Sequence, residues 1–244
     1  MPKQFKESDM YVPIKNFFVS MGYEVRGEVK DCDLMAVKGN EFILVEFKKN
    51  FNTTLLFQAI DRQKLTPLVY IAVPRPAWKE RKRWSHIKHI AKKLGLGLIS
   101  VAMDSAVKAV MVELLPIGCD SDIAKAPAGG TKRARQKREA LLQEFSGMSL
   151  DVNKGGSTNV KLNTAFRERC IQLAVVLKKY GPHAAKGLVR LYGCHKDSNR
   201  ILNNNFYGWF EKVDKGVFAL TDAGFEELEN SDFEEIVNHY TENM

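Results

Sequence analysis

The spacing of apolar residues divides the first 117 of the 244 residues into helices and strands. A first helix is predicted from apolar residues at helical spacing, namely Tyr11, Ile14, Phe17, Phe18 and Met21. Three β-like stretches follow at 23–29, 32–38 and 41–48, and Gly39-Asn40 forms a two-residue turn between the last two. The remaining pattern predicts a helix at 55–65, a strand at 68–73, a helix at 78–94, and strands at 98–102 and 109–115.

The order of these elements, α-β-β-β-α-β-α-β-β, predicts an α/β domain with a mixed central sheet flanked by helices. Both faces of the predicted hairpin at 32–48 are apolar, because Leu34 and Val45 point to one side while Met35 and Leu44 point to the other. Neither face can be left in water, so helices are expected on both sides of the sheet.

A change in composition predicts a linker at residues 118–161, which are rich in Gly, Ala, Ser, Pro and charge. This segment includes a short basic helix with Lys132, Arg133, Arg135, Lys137 and Arg138. Gly155-Gly156-Ser157-Thr158 lacks the lysine of a phosphate-binding loop and is interpreted as a flexible hinge. The pattern of residues 162–244 predicts three helices and a β-hairpin, which is typical of a C-terminal winged helix-turn-helix domain. An acidic helical segment follows at the end of this range.

The distribution of charge favours a polyanionic partner. The net charge is +8, but the segment after Thr221 holds eight acidic residues and no Lys or Arg. Residues 1–221 therefore carry 37 basic against 21 acidic side chains, a formal charge of +16. Such a body attracts nucleic acid through phosphate neutralisation, although a basic surface that serves only solubility is the alternative.

The sequence also indicates a cytoplasmic protein. No apolar run approaches the roughly 18 residues of a bilayer-spanning helix, so no membrane partner is expected. The N-terminus lacks the apolar core of a signal peptide. The four cysteines form no CxxC pair and are interpreted as small, reduced thiols without a ligand role.

Two carboxylates are predicted to face each other across the hairpin. With a two-residue loop at Gly39-Asn40, Lys38 faces Glu41 and, counting outward, Asp33 faces Glu46. This is a non-hydrogen-bonded pair, whose Cα atoms lie about 4.5 Å apart. Because opposed carboxylates destabilise a sheet, a divalent cation, Mg²⁺ or Mn²⁺, is the expected compensation.

Lys48 completes a set of groups suited to phosphodiester hydrolysis. It lies two residues beyond Glu46 and so on the same face, where it could orient or deprotonate a water and offset charge on the phosphate. The alternative is that Asp33 belongs to a turn and that Glu46 and Lys48 form a surface ladder of charges. The apolar neighbours in the strand disfavour that alternative.

The arrangement of Asp33, twelve residues and Glu46-Phe47-Lys48 on an α-β-β-β-α-β scaffold resembles the PD-(D/E)XK nuclease superfamily, which includes restriction endonucleases. Further stretches resemble a bacterial family of PD-(D/E)XK-type phosphodiesterases of unknown biological role, among them 7–11, 22–25, 61–63, 70–74, 155–158 and 207–210. Cys32 stands where the motif has proline, and many superfamily members likewise lack that proline.

The resemblance implies roles for six residues. Asp33 and Glu46 would bind the metal, and Lys48 would serve the attacking water. Glu7, just before the first helix, is either an additional carboxylate of the site or a solvated charge. Gln58 and Arg62, at i and i+4 on one face of the next helix, are expected to touch phosphate or to position Lys48.

Two segments are candidates for contact with nucleic acid. The predicted helix at 78–94 carries a basic run, Arg81, Lys82 and Arg83, which either binds phosphates or is a solvated outer face. In the winged helix, five residues on the third helix and the wing are expected to contact duplex DNA, namely Lys196, Asn199, Arg200, Asn203 and Lys215. Winged helices also dock proteins, and that alternative stays open.

The function expected from the sequence is metal-dependent hydrolysis of DNA phosphodiesters, with the winged helix binding duplex. The alternative is a DNA-binding regulator whose nuclease-like fold does not cleave; the complete set of Asp33, Glu46 and Lys48 favours the enzyme. Cutting both strands with one site per chain commonly requires two copies, so a homodimer is left open.

Overall fold

A computed structural model describes residues 5–77, 80–105, 107–117, 131–157 and 160–243. The chain divides into two compact units. The first comprises residues 1–145 and 153–162, and the second comprises residues 146–152 and 163–244. None of the helices in the described ranges is long and apolar enough to cross a membrane.

The first unit is a mixed six-stranded sheet with helices packed on it. Its strands are β1 (Glu24–Val29), β2 (Cys32–Lys38), β3 (Glu41–Phe47), β4 (Val69–Pro74), β5 (Gly97–Val101) and β6 (Val110–Leu114). Its helices are a 3-10 turn (Glu7–Met10), α1 (Tyr11–Ser20), α2 (Thr53–Gln63), α3 (Arg81–Lys93) and α4 (Lys132–Ser146). The spatial order β1-β2-β3-β4-β5-β6 follows the sequence, and only the β3–β4 and β4–β5 pairs are parallel. The predicted α/β class and mixed sheet are confirmed.

The predicted register of the β2–β3 hairpin is also confirmed. The paired residues run from Lys38 opposite Glu41 to Leu34 opposite Val45, and Gly39 takes the positive φ of +60° that the tight turn requires. Each face of the sheet has its own core. Leu34 and Val45 pack with α1, whereas the other face packs against α2 and α3 through residues such as Ile71.

The carboxyl ends of β3 and β4 lie side by side because these strands are parallel. β3 ends at Phe47 and β4 at Pro74, and the Lys48 amide donates to the Ala72 carbonyl at 3.1 Å. The carboxyl ends of strands are where α/β sheets place their ligands. Glu46 and Lys48 lie at this edge.

The segment expected to be a flexible hinge is instead packed against the sheet. Gly155 is buried, and a Cβ added to it would lie 2.0 Å from the Asp33 carbonyl oxygen. The prediction of a hinge is therefore wrong for Gly155 and Gly156, while Thr158 lies outside the described residues.

Only part of the predicted linker can be described, since residues 118–130 are outside the described ranges. Helix α4 buries Leu141 and Phe145 and belongs to the first unit up to Phe145. Arg138 of α4 lies over the Phe42 ring, 4.8 Å from its centroid.

The second unit combines helices with a small antiparallel sheet. Its elements are α5 (Ala165–Tyr180), β7 (His183–Ala184), α6 (Ala185–Tyr192), α7 (Ser198–Asn204), β8 (Phe210–Asp214), β9 (Val217–Leu220), α8 (Asp222–Leu228) and α9 (Glu234–Glu242). The sheet order is β7-β9-β8. His183 and Ala184 pair with β9, and α6 begins at Ala185. A two-residue strand is too short to show a strand period.

Candidate active site

Asp33 and Glu46 form the buried acidic pair of the site. Continuing the β2–β3 register by one residue beyond Leu34 and Val45 places Asp33 opposite Glu46. Glu46 is fully buried, and Asp33 is 9% exposed. The Asp33 Oδ2 accepts a hydrogen bond from the Phe47 amide at 2.8 Å, which fixes the carboxylate at the end of β3.

The charge of Asp33 makes Glu46 harder to ionise. Burial and the charge of Asp33 raise the pKa of Glu46 to about 7, against the opposing effect of Arg62. Burial also raises the pKa of Asp33, although the Phe47 amide and the charge of Lys48 act in the other direction. At neutral pH this pair favours any cation that would neutralise it.

Arg62 reaches Glu46 from helix α2. Its Nε lies 2.6 Å from Glu46 Oε1, and its Nη2 donates to the Asp31 carbonyl. Contact of Arg62 with phosphate stays a prediction; in the structure its side chain pairs with Glu46. The second Glu46 oxygen, Oε2, is buried and accepts no hydrogen bond from any described residue. One oxygen of this carboxylate is therefore held while the other remains available.

Lys48 is held by Glu7 at the start of the 3-10 turn that leads into α1. The Lys48 Nζ donates to Glu7 Oε2 at 3.0 Å, and Glu7 Oε1 accepts from the Lys49 amide at 3.3 Å. Glu7 is thus a partner of Lys48 and not a solvated helix-start charge. Partial burial lowers the pKa of Lys48, but the bond to Glu7 and the charges of Asp33, Glu7 and Glu46 outweigh it, so the net pKa is raised.

A raised pKa keeps Lys48 in its ammonium form at neutral pH. An ammonium donates hydrogen bonds and offsets negative charge, but it cannot remove a proton from water. Of the two roles considered for Lys48, stabilising charge on the phosphate therefore fits the structure better than deprotonating the water.

Glu28 is an acidic neighbour of Asp33 that sequence analysis missed. In the β1–β2 register Gly27 faces Leu34 and Val29 faces Cys32, so Glu28 lies opposite Asp33, with φ at +52°. Burial and the charge of Asp33 raise the pKa of Glu28 to about 7, while amides of Ser157 and Gly156 lower it. The Ser157 amide lies 3.2 Å from Glu28 Oε1.

The glycine segment at 155–156 closes over these carboxylates. A Cβ on Gly156 would lie 3.2 Å from the Glu7 Cβ, and Gly156 has φ at +72°. Gly155 lies against the Asp33 backbone with no room for a side chain. The two glycines therefore allow the chain to pass within contact distance of Glu7 and Asp33 while amides bind Glu28.

Gln58 lies one turn before Arg62 on α2, as predicted. Its Oε1 is buried and has no hydrogen-bond partner among the described residues. A buried amide oxygen without a donor costs free energy, so this position favours a ligand or water that donates to it.

The carboxylates fit a divalent metal, although the fit is sparse. Within the described ranges, no group of three or more His, Cys, Asp and Glu side chains is arranged to hold a metal ion. Mg²⁺ does not need such a group, since it is commonly bound by one or two carboxylates together with waters and substrate phosphate. The opposed pair Asp33 and Glu46, with Glu46 Oε2 unpartnered, supplies that smaller set of hard oxygen ligands.

The residues predicted to contact nucleic acid are exposed. Arg81, Lys82 and Arg83 line the exposed side of α3, whose predicted start at Trp78 and Lys79 lies outside the described residues. In the second unit the exposed set is Lys196, Asn199, Arg200, Asn203 and Lys215. The three described cysteines are buried and free, as expected, and Cys119 is not described.

Comparison with protein-family models identifies a family for this chain. The model of a family described as "Putative PD-(D/E)XK phosphodiesterase (DUF2161)" matches residues 100–227, more than half of the chain. The chain belongs to this family. Neither the comparison with curated proteins nor that with solved structures returned a match.

The match to the PD-(D/E)XK phosphodiesterase family begins after every acidic and basic residue of the candidate site. It includes Gly155 and Gly156, which pack on Asp33 and Glu7, and it extends through the second unit to α8. The family description therefore supports the hydrolytic class of the reaction, while the arrangement of Asp33, Glu46 and Lys48 is observed in the part of the chain before the match.

Proposed function

We propose that the protein is a metal-dependent nuclease that hydrolyses DNA phosphodiesters at Asp33, Glu46 and Lys48. The observation that carries this proposal is the state of Glu46, which is fully buried beside a second carboxylate and keeps one oxygen unpartnered among the described residues. Arg62 supplies one positive charge to Glu46, and burial of the second carboxylate beside it is costly unless a further cation compensates. The family description supports the hydrolytic class of the reaction.

Each residue has a separate part in this proposal. Asp33 and Glu46 would hold Mg²⁺ or Mn²⁺, which when bound polarises phosphate oxygens and lowers the pKa of water. Arg62 fixes one oxygen of Glu46 and so orients the other. The Lys48 ammonium, positioned by Glu7, neutralises charge on the phosphate as the transition state forms.

The proposal is tested by nicking of supercoiled plasmid. Purified protein is expected to relax the plasmid with Mg²⁺ or Mn²⁺ and to leave it intact with a chelator, because the acidic pair requires a cation to receive phosphate. Plasmid binding without cleavage of either the plasmid or a single-stranded oligonucleotide under any metal condition would contradict the enzyme and favour the non-cleaving regulator.

We further propose that the second unit is a winged helix that binds duplex DNA. The order α5-β7-α6-α7-β8-β9, with a short β7 between the first two helices and β8–β9 as the wing, supports this interpretation. Helix α7 buries Ile201 and Leu202 and exposes Asn199, Arg200 and Asn203. Its polar side chains are of the types that bind base edges.

The end of α7 is anchored in a way that suits a recognition helix. Asn205 takes the left-handed conformation, and its side chain both donates to the Phe210 carbonyl at 2.6 Å and accepts from the Phe210 amide at 3.0 Å. These bonds fix the helix to β8. The run of asparagines is therefore not a frayed helix end.

Two variants of the second unit should distinguish contacts with bases from contacts with phosphates when duplex binding is measured. In a chelator, Arg200→Ala is expected to weaken binding to a preferred duplex by about 5- to 150-fold, as for loss of a base contact. Lys215→Ala on the wing is expected to weaken binding to all duplex sequences alike. It should also lower by about one the number of ions released on binding, read from the slope of log affinity against log salt. Both are measured by fluorescence anisotropy over a salt series.

Lys178→Ala is the matched control, since Lys178 lies on α5 and pairs with Glu229 at 3.8 Å. It should leave duplex affinity unchanged. Unaltered affinity in Arg200→Ala and Lys215→Ala as well would assign the second unit to protein contacts.

A further inference from the structure

A pocket of about 210 Å³ in the first unit has Lys49, the residue that follows Lys48, in its lining. Phe5 and Lys49 line it, and both adjoin the site: the Lys49 amide donates to Glu7, and Phe5 precedes Glu7 by two residues. Val73 and Pro74 at the end of β4 contribute the neighbouring wall. The pocket and the acidic pair therefore share the carboxyl edge of the two parallel strands.

Aromatic rings form much of the lining, from Phe5, Phe51 and Trp84. All three are partly buried, and Phe51 and Trp84 pack on the apolar cluster beneath α2 and α3. Val73 and Ile87 add further apolar surface. A cleft with several aromatic side chains suits a flat ring that gains from stacking or edge contacts.

Basic side chains surround the same pocket. Lys49, Arg75 and Arg83 line it and are exposed. One carboxylate, Glu80, also lines the pocket and lies 3.8 Å from Arg83. The Arg83 side chain is nevertheless 59% exposed. The combination of aromatic and cationic groups is complementary to a planar ring that carries phosphate.

The size of the pocket restricts the ligand further. Sites for drug-sized ligands usually measure roughly 300–1,000 Å³, so a pocket of about 210 Å³ suits a single nucleobase. A paired base within a duplex has both faces stacked and its edge occupied, and it must leave the stack before it can enter such a pocket.

We infer that this pocket receives one unpaired base next to the phosphodiester at Lys48, so that the enzyme cuts nucleic acid that is single-stranded or frayed at the cut. This inference rests on the proposed nuclease function and narrows its substrate. Duplex binding by the second unit is compatible with it, because a flap, gap or strand end offers duplex and unpaired nucleotides together.

The direct test compares a short single-stranded oligonucleotide with a version that lacks bases at successive positions. Both keep the same phosphates, and binding is measured by anisotropy in a chelator so that nothing is cut. Wild type is expected to bind the intact strand about 5- to 150-fold more tightly, the range for stacking of one base on aromatic side chains. DNA and RNA strands are compared in parallel to identify the sugar preferred.

Trp84→Leu should remove that preference without weakening binding to the abasic strand. Trp84→Phe keeps an aromatic ring and should retain most of the preference for the intact strand. Phe57→Leu is the matched control, because Phe57 is an aromatic residue on α2 that is 69% exposed and does not line the pocket. Because the comparison of strands by wild type needs no variant, it stands even if Trp84→Leu unfolds.

The outcomes separate this inference from the proposed function. Cleavage with equal binding to intact and abasic strands would overturn the base pocket and leave the nuclease standing. A base preference that depends on Trp84, without cleavage under any metal condition, would retain the pocket and overturn catalysis. In a cleaving enzyme, Trp84→Leu should raise KM for a single strand more than it lowers kcat.

Discussion

Replacing Lys48 with alanine is expected to slow phosphodiester cleavage by about 100- to 1,000-fold, the effect of removing one preorganised donor from a developing anion. The Lys48 ammonium is held 3.0 Å from Glu7 and keeps a raised pKa, so its charge is present at neutral pH. Loss of that charge should lower the rate of cleavage more than the affinity for DNA. The rate is measured as initial nicking of supercoiled plasmid with saturating Mg²⁺.

Lys64→Ala is the matched control for this experiment. Lys64 follows helix α2, is exposed, and pairs only locally with Asp61 among the contacts of the described residues. It should nick at the rate of wild type. Equal rates for Lys48→Ala and wild type would place hydrolysis at another site or in a contaminant.

The pairing of Asp33 with Glu46 could be predicted from sequence because it depends on local rules. A two-residue turn at Gly39-Asn40 fixes the register, and a strand period of two then determines which side chains share a face. Five observed pairs, ending at Leu34 opposite Val45, follow this register.

Glu28 and the glycine segment could not be predicted in the same way. Ser157 and Glu28 are 129 residues apart, and nothing in the local pattern indicates their contact. Gly155 and Gly156 suggested a hinge because glycine is common both in flexible segments and where chains must pass closely. Only the tertiary structure distinguishes these uses, since a Cβ at Gly155 would collide with Asp33.

The role of Arg62 shows a further limit of sequence analysis. Spacing correctly put Arg62 on the face of α2 that turns to the site, but the helix period alone does not determine which charge it meets. In the structure it meets Glu46 at 2.6 Å, which explains how a buried carboxylate is held. The arginine thus stabilises the acidic pair that the cation is proposed to complete.

Without metal, the protein should lose stability as pH rises from about 4.5 to about 7. The pKa of Glu46 is about 7 in the folded protein and near 4.5 when exposed, so the folded state binds more protons in this range. The contribution is fully present below about pH 4.5 and is lost through pH 7, amounting to about 3 kcal/mol for Glu46. Glu28 titrates in the same direction.

Mg²⁺ should reverse this loss, because it binds ionised carboxylates and must compete with protons below neutral pH. The increase in stability on adding Mg²⁺ is therefore expected to be larger near pH 8 than near pH 5. Urea unfolding of the first unit, with Mg²⁺ or with a chelator at each pH, measures this difference. Glu46→Gln should make the pH profile shallower, leaving the contribution of Glu28, and should remove most of the Mg²⁺ effect. Glu139→Gln, at an exposed position of α4, should change neither. An Mg²⁺ effect that is equal at both pH values, or that persists in Glu46→Gln, would show that the ion binds elsewhere.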